Sequence, residues 1–203
     1  MLEEETKALN GHAFNSLDSG LLEIKRNAHR LSHQYGETVE EEIEKRKNIL
    51  LQLLAKVGDN YNFQGPIFFN YGIHTQIGKN FFANYNLTVL DDAEIIIGND
   101  VLIGPNCTLA SVRHPLLADE RITHKYADLP IRFCKGENIV IEDNVWLAAN
   151  VTVIGGVVIG KNSVIGAGSV VTHDIPENCL AVGIPCQVVR FLSEKDHWSD
   201  LNY

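Results

Sequence analysis

Between residues 141 and 171 one apolar position recurs every six residues: Ile141, Leu147, Val153, Ile159, Ile165 and Val171. Three residues after most of them stands Asn or Gly, at Asn144, Asn150, Gly156, Asn162 and Gly168. These residue types tolerate a left-handed backbone, so each unit carries its own turn. The next positions, Val145, Val151, Val157, Ser163 and Ser169, are small or β-branched and suit short strands. A period of six matches neither a helix nor the alternation of a long-stranded sheet. It predicts a coil of three short faces, a parallel β-helix.

The same beat runs earlier through Ile77, Ala83, Val89 and Ile95, with Asn80 and Asn86 at the turns. It then slips by two residues to Ile97, Ile103 and Leu109, with turns at Asp100 and Asn106. The slip predicts a bulged corner that projects Asp91 or Asp92 outward. A second break, from about residue 111 to 138, reads as an excursion from the coil. Long loops on a rigid scaffold commonly carry function. The beat fades after Val171, and Pro176, Pro185 and a polar tail end it. Burying the thirteen aliphatic positions, at roughly 1.5–3 kcal/mol each before entropy, would dominate stability. The flat faces between corners are surfaces for association, with Phe82 and Trp146 as aromatics to be covered that way.

The first sixty residues follow another pattern. Leu21, Leu22, Ile24, Ala28 and Leu31 recur at roughly helical spacing within residues 17–35, with Gly36 as a stop. Thr38 precedes Glu41 at capping-box spacing and predicts a second helix with a stripe of Ile43, Leu50, Leu53, Leu54 and Val57, closed by Gly58. Two helices of this size cannot stand alone and are expected to dock on the coil. The expected organisation is a helical segment over 1–60, a β-helix over 61–190 and a tail over 191–203.

Composition narrows the function. The chain has 203 residues, 45% of them apolar, and a formal charge of −9. That balance argues against nucleic acid as partner, because phosphate neutralisation needs a basic face. Met1 is followed by Glu3, Glu4 and Glu5 rather than by the start of a secretory leader, and no apolar run reaches membrane-span length. Cys107, Cys134, Cys179 and Cys186 form no Cys-x-x-Cys pair, which suits reduced thiols in a cytoplasm. Cys107 falls on a small-residue position of the repeat and reads as a packed side chain.

The excursion opens Arg113-His114-Pro115. A histidine where a scaffold hands over to a loop is well sited for proton transfer, or is simply hydrogen-bonded at the loop root. Asn84, Asn86, Asp91 and Asp92, from neighbouring coils, could converge on it. By themselves, Asn84 and Asn86 read first as turn and corner residues. The glycine pairs lie inside the repeat and no P-loop lysine follows them.

Residues 77–86 (IGKNFFANYN), Leu90-Asp91-Asp92, Arg113-His114-Pro115, Asn144-Val145-Trp146, 165–172 (IGAGSVVT) and 181–186 (AVGIPC) resemble the hexapeptide-repeat acyltransferases, and within them the maltose/galactoside-type sugar O-acetyltransferases. The resemblance spans nearly the whole chain. It implies a left-handed parallel β-helix and a homotrimer binding acetyl-CoA between subunits, with acetyl transfer to a hydroxyl of a sugar or sugar-like acceptor. It makes His114 the general base, and puts Asn84, Asp92 and Asn70 at the acceptor. Trp146, Ala167, Thr172 and Arg190 match the coenzyme channel. Ala149 and His173 fall at further coenzyme positions where serine and lysine are expected, and Gln187 where arginine is expected. These departures remove up to two positive charges and a hydroxyl, for which Lys161 could compensate. Residues 130–138 are longer than expected, and the acidic residue expected early in the chain has only Asn15, Ser16 and Asp18 nearby.

Two alternatives stay open. One keeps the fold and changes the acceptor to an antibiotic, an amino acid or a nucleotide-sugar amine; the other is a non-catalytic trimeric scaffold. A metal hydratase would need histidines converging across a subunit interface. Only His74, His114, His124 and His173 lie in or beside the coil, so no metal is expected.

Overall fold

The six-residue units form the strands and corners of a parallel β-helix. The computed structural model describes residues 1–123, 130–199 and 201. The coil has three sheet faces. One stacks Lys56–Val57, Thr75–Ile77, Ile95–Ile97, Ile139–Ile141 and Val157–Ile159. The second begins with Asn62–Phe63, Phe82–Ala83 and Leu102–Ile103, and continues through Trp146–Leu147, Val164–Ile165 and Cys179–Val182. The third stacks Ile67–Phe69, Leu87–Leu90, Thr108–Ala110, Thr152–Ile154 and Val170–Val171. All thirteen aliphatic positions point inward and are at most 2% exposed. Cys107 is packed among them at 0%.

The corners explain the Asn and Gly beat. Asn80, Asn86, Asn106, Asn144, Asn150 and Asn162 have φ between 54° and 61°. Their amides also stack between coils: Asn144 Nδ2 donates to Asn162 Oδ1 (3.0 Å), and Asn162 Nδ2 to Asn178 Oδ1 (2.7 Å). Asn therefore serves the corner twice, by tolerating the backbone and by bonding to its own image one coil away.

Several expectations need correction. The coil begins at Lys56, one turn before the beat becomes legible, because its first strands carry aromatics such as Phe63 and Phe69 in place of aliphatics. At the other end Cys179–Val182 adds a further strand after the beat fades, and Gln187–Phe191 folds back antiparallel on it. The first long helix, α2, spans Ser19–Gly36, capped by Asp18, whose Oδ1 accepts from the amides of Gly20 (2.9 Å) and Leu21 (3.1 Å). Gly36 is its last residue. The next helix, α3, covers Ile43–Leu53 and does not start at Thr38, whose hydroxyl instead donates to the Tyr35 carbonyl (2.7 Å). Ile43 is exposed, and Val57 and Gly58 already belong to the coil. Both helices dock on the coil as expected. Leu31 and Leu50 enter the coil's own core, and the Tyr35 hydroxyl donates to the Phe63 carbonyl (2.8 Å).

The sequence pattern misses a short N-terminal helix, α1 (Glu3–Leu9). It also misses that the excursion is structured. Val112–Arg113, Ile122–Thr123 and Ile131–Gly136 form an antiparallel sheet with Ala13–Asn15 from the N-terminal region, and a one-turn helix, α4 (Ala118–Arg121), leads into it. Phe14 lies opposite Cys134, Val112 opposite Gly136, and Ile122 opposite Arg132. Gly136 permits the closest approach, since a Cβ there would fall 2.6 Å from the Ala8 carbonyl oxygen and 2.8 Å from the Ala93 Cβ.

Candidate active site

The coil geometry sorts the candidate residues by corner. Asn70 follows Ile67–Phe69, Asp92 follows Leu87–Leu90, and His114 follows Thr108–Ala110 and its short extension. These three strands are neighbours in one sheet, so Asn70, Asp92 and His114 arise at the same corner in three successive coils. Asn84, Ala149 and Ala167 arise at the preceding corner, after Phe82–Ala83, Trp146–Leu147 and Val164–Ile165. Within one chain the expected acceptor set is therefore divided.

At the first corner the two-residue slip turns inward, against expectation. Asp91 and Asp92 are 0% and 3% exposed. Asp91 Oδ1 accepts the Tyr71 amide (2.8 Å), and its Oδ2 accepts the Thr75 hydroxyl (2.9 Å). Burial pushes its carboxyl up, against these bonds and the nearby His74. His74 Nδ1 faces the Asp91 carbonyl at 2.8 Å, and its Nε2 faces Glu5 of α1 at 3.3 Å. Both ring nitrogens thus meet oxygens, and the contact with Glu5 ties α1 to the bulge.

Asp92 sits one residue on, toward the site. Its Oδ2 accepts from Asn70 Nδ2 at 2.8 Å. Burial raises its carboxyl, opposed by Asn70 and by the fields of Lys25, His74 and His114. Lys25 of α2 lies 5.0 Å above the Tyr71 ring. The Tyr71 hydroxyl is buried without a hydrogen-bond partner among the described residues, and burial raises it further from ionisation.

His114 is exposed at the root of the excursion. Its Nδ1 lies 3.1 Å from the Phe133 carbonyl and 3.4 Å from the Cys134 thiol. A carbonyl can only accept, so Nδ1 carries the proton and Nε2 keeps its lone pair. The acceptor comes from the strand Ile131–Gly136, within the stretch that is longer than expected. No sequence signal points to it, because the bonding atom is a main-chain carbonyl. A cavity of about 360 Å³ opens beside His114, Phe133 and Cys134.

The other candidates lie elsewhere. Asn84 Oδ1 accepts the Tyr85 amide (2.7 Å), and Asn86 donates to Asn106 (2.9 Å), so neither bonds to His114. Trp146 stands on the outer face of its sheet, 48% exposed, in register with Leu102 and Val164. Thr172 and His173 are exposed, 3.3 Å apart at their Oγ1 and Nδ1. Arg190 forks onto Asp196 at 2.9 and 2.5 Å, which holds the Asp196 carboxyl down at about 2. Gln187 is exposed, and Lys161 pairs with Glu177 at 3.2 Å. Ser16 donates to the Arg132 carbonyl (3.1 Å) and Asn15 accepts the Arg132 amide (3.3 Å). Asp18 is spent as a helix cap. His124 lies outside the described residues.

Three family profiles match the chain. "Maltose acetyltransferase hexapeptide capping motif" covers residues 7–58, "Hexapeptide repeat of succinyl-transferase" 94–113, and "Bacterial transferase hexapeptide (six repeats)" 138–173. The galactoside O-acetyltransferase of Escherichia coli (strain K12) is 39% identical over 186 residues, covering 92% of this chain and 88% of the relative. The chain belongs to the hexapeptide-repeat acetyltransferases. Within that family, a galactoside acetyltransferase solved in complex with coenzyme A superposes with a TM-score of 0.88 at 36% identity, covering 100% of this chain and 98% of that one. A maltose O-acetyltransferase from Clostridium difficile 630 gives 0.88 at 38% identity, over 95% and 99% of the two chains. As a member of this family, the chain is an acyltransferase.

Proposed function

We propose that this acetyltransferase moves the acetyl group of acetyl-CoA to a hydroxyl of a sugar or sugar-like acceptor, with His114 as general base. The observation that carries the reading is the His114 ring. The Phe133 carbonyl occupies Nδ1 at 3.1 Å, leaving the Nε2 lone pair for an acceptor hydroxyl. The hydroxyl oxygen attacks the thioester carbon as its proton passes to Nε2. The tetrahedral intermediate then collapses with loss of the coenzyme sulfur, to which the same proton is returned. Asp92 and Asn70, already bonded to each other, present carboxylate oxygens and a carboxamide to neighbouring acceptor hydroxyls.

The division of candidates between two corners supports a site completed by assembly. In a homotrimer, the corner bearing Asn84, Ala149 and Ala167 on one subunit would face the corner bearing His114 on the next. Trp146 and the 170–173 region would then flank the coenzyme between them, with Arg190 available to a phosphate once it leaves Asp196. The missing serine, lysine and arginine equivalents at Ala149, His173 and Gln187 predict a weaker coenzyme site. Lys161 is already paired with Glu177 and is a poor substitute.

The test is coenzyme A release from acetyl-CoA across a panel of sugars, sugar amines and aminoglycosides, with the acetylated atom identified by mass spectrometry. Ester products on sugars are expected. Amide products alone would replace this reading with an N-acetyltransferase.

A further inference from the structure

A second cavity, of about 500 Å³, is lined by His114, Ala118, Arg121, Ile122 and Arg132. Strand register brings its two arginines together. Arg132 pairs directly with Ile122, and Arg121 is the residue before Ile122 at the end of α4. Neither guanidinium has a hydrogen-bonding or ion-pair partner among the described residues, although the chain as a whole carries −9. Acidic groups nearby among the described residues are otherwise disposed. Glu137 is taken by Arg113 at 2.5 Å, and Asp119 and Glu120 of α4 reach neither arginine. Two guanidinium groups lining one cavity with His114, neither paired among the described residues, offer charge-assisted hydrogen bonds to an oxyanion.

We infer that the acceptor of this enzyme carries an anionic substituent, a carboxylate or a phosphate, which Arg121 and Arg132 hold while a hydroxyl of the same molecule reaches His114. The substrate class is thus an acidic sugar, such as a uronate or a sugar phosphate, rather than a neutral hexose. This inference rests on the proposed acetyl transfer at His114 and deepens it. The strand that supplies Arg132 also supplies the Phe133 carbonyl that sets the His114 tautomer, so one segment both arms the base and selects the acceptor.

The experiment compares galacturonate, glucose 6-phosphate, galactose and glucose as acceptors for the full-length protein and for Arg121→Gln, Arg132→Gln and the double variant. Wild type is expected to favour an acidic sugar, and the uronate and phosphate arms identify which oxyanion is held. Each single change should raise KM for that acceptor by about 10–100-fold, as for loss of a charge-assisted hydrogen bond. kcat, and kcat/KM for neutral sugars, should stay within about threefold. Calorimetric titration of the same sugars reads binding without turnover, and separates failure of the His114 mechanism from failure of the anion site. A wild-type preference for neutral sugars, in turnover and in binding, would overturn the inference. So would a rise in KM for acetyl-CoA alone in the variants, which would assign the arginines to coenzyme phosphates.

Discussion

His114→Ala is expected to lower turnover by about 10²–10⁴-fold, the usual contribution of a general base. The fold should hardly notice. His114 is exposed, and its ring bonds run only to the Phe133 carbonyl and the Cys134 thiol. Exposed positions of this kind change stability by about ±0.5 kcal/mol or less. Thermal unfolding of the variant should therefore superpose on that of wild type. KM for acetyl-CoA should also be little changed, because the base acts on the acceptor proton and does not hold the coenzyme. A variant with undiminished kcat would remove His114 from the mechanism.

Asp91→Ala is expected to destabilise the protein by about 2–5 kcal/mol, since it strands two buried donors, the Tyr71 amide and the Thr75 hydroxyl. The loss should be read by denaturant unfolding. Asp91→Asn should be much milder, because the amide oxygen still accepts from Tyr71 and the Thr75 hydroxyl can rotate to accept. The pH dependence has a definite sign. Burial raises the folded-state Asp91 carboxyl above its unfolded value. Its favourable contribution is therefore fully present below the unfolded pKa and is lost as pH rises through the raised folded value. The stability of wild type relative to Asp91→Asn should fall as pH rises from the acid side toward neutrality. A relative stability that instead grows with pH would mean that the hydrogen bonds to Asp91 outweigh its burial.

The coil was legible because it repeats. One aliphatic every six residues and one Asn or Gly three residues later state the same corner many times over, and the structure uses both as expected. The first coil was hidden because Phe63 and Phe69 fill the space where aliphatics serve later. The slip at Asp91–Asp92 was legible as an irregularity, but its direction was not. Carboxylates default to solvent in a pattern reading, whereas here donors from Tyr71, Thr75 and Asn70 receive them. The second helix started late because the Thr38 hydroxyl found the Tyr35 carbonyl instead of capping its own helix. The excursion looked structureless because its strands pair with Ala13–Asn15, more than a hundred residues away in sequence. No local period reports such pairing. Of the site, His114, Asp92 and Asn70 came together at one corner, with Thr172 and His173 at that same corner further along the coil, while Asn84, Ala149 and Ala167 lie at the preceding one.

The central claim is direct transfer of acetyl from coenzyme to acceptor oxygen, with no acetyl held on the protein. Initial rates of coenzyme A release, measured while acetyl-CoA and an acceptor sugar are varied together, test it most directly. Converging double-reciprocal lines, with an O-acetyl sugar as product and no acetylated protein by intact mass, are the expected result. Parallel lines, with an acetyl group retained on the protein when acceptor is withheld, would contradict it and point to a covalent intermediate.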